Sequence, residues 1–319
     1  MKLRTAAAAA LVMTLAACGG ATSDAGEGKP AASTGAKGTV KLAINPWVGY
    51  EANAAVIAHL LKSKLGYQVE NKELKEEVSW QGFETGEVDA IVENWGHDDL
   101  KKTYIEQKKV AVEAGPTGNK GRIGWFIPQW MADEHPDITD WKNLNKYADL
   151  FKTSESKGKG QLLDGDPSFV TNDKALVANL KLNYNVVFSG SEAAIIKAAQ
   201  QANAQKKPLL FYFYEPQWLF AKEKFARITL PPYTKGCDTD PKKVACDYAE
   251  LTLDKVVSKK FADSNSTAYQ LIKNFQWTND DQNLISDYIT NQGMTAEKAA
   301  EKWATEHEAT WKAWIPAGS

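Results

Sequence analysis

Four large aromatic side chains stand just past short apolar runs, where a strand should give way to a turn. They are Trp47 in NPWVGYE, Trp95 in ENWGHDD, Tyr214 in FYFYEPQW, and Phe169 in the turn of DGDPSFVTND. In open α/β sheets, ligands bind in the crevice outside the carboxyl ends of the strands. Read singly, each ring suits a core; together, at equivalent strand ends, they suit a binding site. The chemistry that asks for several converging π faces is capture of a quaternary ammonium. Such a cation has no N–H to donate, so hydrogen bonding to a carboxylate cannot grip it. Aromatic faces hold it electrostatically, at roughly 0.5–2 kcal/mol per ring.

These residues need elements that present them. TVKLAI is short, apolar and β-branched, and Asn45-Pro46 ends it as a strand. From Glu51 the apolar positions Ala54, Ala55, Ile57, Ala58, Leu61 and Leu65 recur at helical spacing, and Gly66 supplies the stop. YQVENKEL predicts a second strand, EEVSWQGFETGEV a short helix, and DAIVEN a third strand ending at Trp95. Strand alternating with helix predicts an α/β domain with a largely parallel sheet. A second region repeats the pattern. GRIGWFIP reads as a strand, DWKNLNKYADLF as a helix, GQLLDGDPSFV as a strand entering a turn, and NDKALVANLKLNYN as a helix. VVFSG, SEAAIIKAAQQANAQ and KPLLFYFYEPQW then read as strand, helix and buried strand. From about Leu251 the chain reads as mostly helical, with Trp303, Trp311 and Trp314 near one apolar stripe and assigned to packing.

The first residues read as a processing segment. Lys2 and Arg4 precede the apolar run TAAAAALVMTLAA, which is too short to span a bilayer. Leu15-Ala16-Ala17-Cys18 resembles a bacterial lipobox, which implies cleavage before Cys18 and lipid on its sulfur; an ordinary signal peptide with a chance cysteine is the alternative. Residues 18–38, rich in Gly, Ala and Ser, predict a flexible tether. An exported setting is oxidising, so Cys237 and Cys246 are expected to close a local disulfide, since a zinc site lacks two further ligands nearby. The formal net charge of -2 argues against nucleic acid, which demands a basic face.

FETGEVDAIVENW, LGYQVENKEL and KPLLFYFYEPQW together resemble the glycine betaine/choline substrate-binding lipoproteins of ABC transporters, over nearly the whole mature chain from about Thr39 to Trp314. Trp47 after Pro46 and Trp95 closing VENW match two cage positions; Tyr214 stands where members often carry tryptophan, and Phe169 where some do. The resemblance implies a two-lobed, periplasmic-binding-protein-like type II α/β fold with a ligand cleft between the lobes, which close by hinge bending. It implies crossovers near Gly121–Gly124 and Arg227–Leu230. Residues 1–17 would then be a signal peptide, 39–122 and 229–319 one lobe, and 123–228 the other. It further implies a monomeric, extracytoplasmic, lipid-anchored receptor that delivers its ligand to a membrane permease.

The ligand's other end leaves two readings open. A betaine carboxylate would suit the helix start at Val48 and Gly49, where Gly49 is equally a turn glycine; Ser168 and Thr171 could add hydroxyls. Choline would instead want a carboxylate such as Glu215 or Asp166. Rival functions find less in the residues. There is no Gly-x-Ser-x-Gly elbow, the contiguous His97, Asp98 and Asp99 diverge, and DGDPSFVTND lacks the calcium loop's sixth-position glycine and holds Pro167. No enzyme, metal or cofactor is therefore expected. A same-fold receptor for an amino acid would want an arginine clamp, for which only Arg122 is placed; a surface adhesin is the remaining alternative.

Overall fold

The computed structural model describes residues 37–169 and 171–318. The signal segment, Cys18 and all but the last two residues of the tether lie outside the described residues.

Among the described residues, nine strands form one mixed sheet. They are β1 (Thr39–Ile44), β2 (Gln68–Glu73), β3 (Ala90–Asn94), β4 (Ala111–Pro128) and β5 (Gly160–Asp164), followed by β6 (Tyr184–Phe188), β7 (Phe211–Glu215), β8 (Phe225–Arg227) and β9 (Leu251–Ser258). Their order is β2-β1-β3-β9-β4-β7-β5-β6, with β8 also paired to β4. The strand-helix units give parallel pairs, β1 with β2 and β3, and β5 with β6 and β7. The middle of the sheet is antiparallel, because β9 and β4 run against their neighbours. Every residue of β3 is buried, which is why AIVEN reads as a continuous run and not as an alternation.

The long strand β4 is the element that the sequence hides. Its Ala111–Gly121 stretch pairs with β9, while Arg122–Phe126 pairs with β7. The glycines and proline in AVEAGPTGNK argue against a strand by composition. Register shifts around Pro116 absorb them, and Gly115 and Gly118 take positive φ there. Gly118 has no alternative, since an added Cβ would overlap the backbone of Trp277.

Two further expectations are corrected. DWKNLNKYADLF is not one helix but three short turns, Trp141–Asn143, Leu144–Tyr147 and Ala148–Phe151. The C-terminal third opens with a strand, β9, whose Asp254-Lys255 and Val256-Val257 pairs break the polar/apolar alternation that would mark it as one. The helix Val48–Ser63 is buried at eleven positions and packs on the C-terminal helices Asn279–Thr290 and Ala296–Glu306. Trp303, Trp311 and Trp314 are buried; Trp303 stacks on Trp314 at 5.9 Å. Cys237 and Cys246 are joined by a disulfide, with Cα atoms 6.3 Å apart.

Candidate functional site

The four strand-end aromatics meet. Trp47, Trp95, Phe169 and Tyr214 line one cavity of about 50 Å³, together with Tyr212, Ile123, Glu76 and His97. One water needs only about 10–15 Å³, so the space suits one small solute. Edge-to-face contacts set the rings as separate walls and not as a stack: Trp47 with Phe169 at 5.7 Å, Trp95 with Tyr214 at 5.3 Å, and Phe169 with Tyr214 at 6.5 Å.

Local structure explains how each wall arrives there. Trp47 is the extended residue immediately before the Val48–Ser63 helix, with its N–H on the Asn45 carbonyl at 2.9 Å. Trp95 follows β3 directly and lies against Gly121, where an added Cβ would come within 2.9 Å of the indole. Gly121 sits at the point where β4 changes partners, so the backbone there must be bare to admit the ring. Phe169 folds back over Gly165 in the same manner, 2.7 Å from where a Cβ would stand. Tyr212 and Tyr214 project from one face of β7, two residues apart, and Ile123 of β4 is the register partner of Tyr214.

Behind the indoles lies a carboxylate. Trp47 Nε1 and Trp95 Nε1 both donate to Glu93 Oε1, each at 2.7 Å. Glu93 Oε2 accepts from Gln282 Nε2 at 3.1 Å and from Asn53 Nδ2. Glu93 is 1% exposed, and burial pushes its carboxyl up to about 7 against the pull of the two indole hydrogen bonds. A second carboxylate stands behind the phenol. Glu192 accepts from the Tyr214 hydroxyl, from Gln217 Nε2 at 2.6 Å and from Val48 N at 2.8 Å. Burial likewise raises Glu192 to about 7. The polar lining of the cavity is a third group, His97 Nε2 on Glu76 Oε1 at 2.9 Å. Burial opposes protonation of His97, but the Glu76 hydrogen bond and charge outweigh it and leave the imidazole raised. Tyr212 adds a hydroxyl that makes no hydrogen bond among the described residues.

The remaining sequence-read residues fall elsewhere. The Val48 N–H is engaged by Glu192. Gly49 is buried where an added Cβ would overlap the Gln282 amide, so close packing explains it. Glu215 is half-buried at the end of β7, opposite Arg122, outside the cavity lining. Asp166 and Ser168 line a wider groove of about 870 Å³ that shares Trp47 with the cavity. Ser168 donates to Asp166, and Thr171 donates to Asp164 Oδ2 at 3.1 Å. Among the described residues, no group of three or more His, Cys, Asp or Glu could hold a metal ion, and no helix is long and apolar enough to cross a membrane.

Glu93, Glu192, Tyr212 and the His97–Glu76 pair went unread in the sequence. One signal was present: Glu93 is a charge inside AIVEN, a run otherwise suited to burial on both faces, and such a charge is rare without a partner. Glu192 gave none, because an acid in a helix's first turn is ordinary.

Residues 38–306 match the family described as OpuAC, the substrate binding domain of ABC-type glycine betaine transport systems. The glycine betaine/carnitine transport binding protein GbuC of Listeria monocytogenes serotype 1/2a is 30% identical over 115 residues, 36% of this chain and 34% of that protein. The chain thus spans about a third of the length of that curated relative. Lactococcal OpuAC, closed on glycine betaine, superposes with a TM-score of 0.69 at 23% identity, covering 87% of this chain and 99% of that one. A choline-binding protein of an ABC transporter, in complex with choline, gives 0.68 at 19% identity over 86% and 91%. The glycine betaine/L-proline-binding protein of Borrelia burgdorferi gives 0.70 at 18% over 88% and 97%. Such structural likenesses are of fold, the type II fold of periplasmic binding proteins.

Proposed function

The chain belongs to the family of substrate-binding domains of ABC-type glycine betaine transport systems, and from that premise we propose that it captures a quaternary ammonium solute in the aromatic cavity and delivers it to a membrane permease. The family is one of extracytoplasmic solute receptors, not of enzymes. The observation that carries the reading is convergence: Trp47, Trp95, Phe169 and Tyr214 come from four separate loops and strand ends and wall one small cavity. Among the described residues, no lysine or arginine lines it. A cationic head with methyl groups suits that lining, because the rings bury the methyls and offer negative faces to the charge. The ligand's polar end lies toward His97, Glu76 and the Tyr212 hydroxyl. The Val48 N–H is engaged by Glu192, the carboxylate that also holds the Tyr214 hydroxyl, and Glu215 lies outside the lining.

In this reading, residues 39–122 and 229–319 form one lobe and residues 123–228 the other, and the lobes close on the ligand by hinge bending. The change of β4's partner from β9 to β7 between Gly121 and Arg122 supports that division. The Val48–Glu192 hydrogen bond would then join the lobes across the cleft. Lipid on Cys18 and residues 18–38 would tether a monomeric receptor to the membrane. Calorimetric titration of the folded protein with choline, glycine betaine, carnitine, glycine and a neutral sugar tests the function. Saturable binding confined to the methylated cations is expected, with a change in tryptophan fluorescence. Tighter binding of glycine or the sugar than of every quaternary amine would overturn the proposal.

A further inference from the structure

Resting on that reading, we infer that Glu93 and Glu192 are the counter-ions of the cage: Glu93 grips two cage indoles and Glu192 the cage phenol by their polar edges, and together they make the site select a permanent positive charge over a neutral group of the same shape. Three of the four walls donate to a carboxylate, Trp47 and Trp95 to Glu93 and Tyr214 to Glu192. The two carboxylates are 1% and 7% exposed. Every other donor to them is also neutral: the Asn53 and Gln282 amides for Glu93, and the Gln217 amide and Val48 N–H for Glu192. Among the described residues, no lysine, arginine or histidine is a hydrogen-bond partner of either.

A buried carboxylate without a cationic partner is costly, even when its hydrogen bonds are made. Once ionised, above the pH of about 7 to which burial raises them, two of them behind one cage leave a net negative potential that a bound cation offsets. The neighbouring amides are oriented to suit that charge. Asn53 and Gln217 turn their N–H groups to the carboxylates and leave their own buried oxygens, Asn53 Oδ1 and Gln217 Oε1, without a partner. Were Glu192 neutral, the opposite orientation of the Gln217 amide would satisfy its oxygen, whereas Asn53 is held as it stands by the Gly49 carbonyl and Gln282 Oε1 as well. An N–H or O–H donated to a carboxylate also polarises its ring, since linked hydrogen bonds strengthen one another in a low dielectric. The π face turned to the ligand becomes more negative. Shape and charge are thereby carried by different residues: the rings fit the methyl groups, and the glutamates behind them read the charge.

The separation can be measured. Choline and 3,3-dimethyl-1-butanol, in which a quaternary carbon replaces the nitrogen, share a shape and differ in charge. Wild type, Glu93→Gln and Glu192→Gln are titrated with choline by calorimetry and with the alcohol by competition, after thermal melts establish folding. Each substitution is expected to weaken choline about tenfold or more, as loss of one buried charge near a cation implies, while changing the alcohol's affinity by less than about twofold on the same scale. Equal losses for the two ligands would mean that the glutamates only position the rings, and would overturn the inference; so would unchanged choline affinity. If Glu93→Gln does not fold, Glu192→Gln, beside the open groove, supplies the same comparison. Failure of wild type to bind any quaternary amine would instead sink the proposed function, a result distinguishable from either variant outcome.

Discussion

Replacing Trp95 by alanine should damage binding more than stability, and replacing Trp303 should do the reverse. Trp95 is half-buried, follows β3, and faces the cavity while its N–H reaches Glu93. Removing one desolvated π face costs about 1–2 kcal/mol of binding, which is roughly 5–30-fold in Kd. The loss grows if water enters the space the indole leaves. Trp303 is fully buried, stacked on His307 at 4.9 Å and on Trp314. Its truncation removes a core aromatic and should cost about 3–5 kcal/mol of folding stability, with little change in affinity for whatever fraction folds. Calorimetry against the tightest-binding quaternary amine gives Kd, and urea denaturation gives stability. Trp95→Phe should recover part of the affinity because a ring face survives, although the hydrogen bond to Glu93 is gone. Trp95→Leu should recover little, since shape without a quadrupole does not hold a cation. Wild-type affinity in Trp95→Ala, or leucine matching phenylalanine, would refute the cage.

Gly121→Ala should mimic a partial Trp95 defect, because its Cβ would stand 2.9 Å from the indole and 2.8 Å from Leu253; unchanged Kd would show that the ring can shift without consequence. Lys255 is buried, donates to the carbonyls of Lys273 and Phe275, and is pulled by desolvation from 10.5 down to about 7. Between those values the unfolded chain holds a proton that the native state lacks, so stability should rise with pH through that window. The rise should be at most about 4 kcal/mol, and Lys255→Met should flatten it in urea midpoints measured from pH 6.5 to 10; parallel profiles would count against a depressed lysine. Reducing Cys237–Cys246 should cost about 2–3 kcal/mol of stability and leave binding in place, and free thiols found by mass spectrometry in exported, unreduced protein would contradict the bond. Cys18→Ala should move the protein from membranes to the medium, since a lipid anchor is what would hold it there; quantitative sedimentation of the variant with membranes would end the lipoprotein reading.

Local patterning made much of this molecule legible in one dimension. TVKLAI coincides with β1, and the helices at Val48–Ser63 and Glu192–Gln205 sit where apolar spacing puts them, because each pattern is confined to one element. The four aromatics stood out for a related reason: a ring just past a strand end has no place in a local apolar pattern. Other features depend on residues far apart in the chain. The strand character of AVEAGPTGNK emerges only when β9, more than a hundred residues later, supplies its hydrogen bonds around the glycine bulges. The same holds for Glu93, which gathers Trp47 and Gln282 from 46 and 189 residues away, and for Glu192, which reaches Val48 across 144. A sequence names the groups able to touch a ligand, since side-chain chemistry is local. Only the folded chain decides which carboxylate stands behind which ring, because burial and hydrogen-bond partnership are properties of what the backbone brings together.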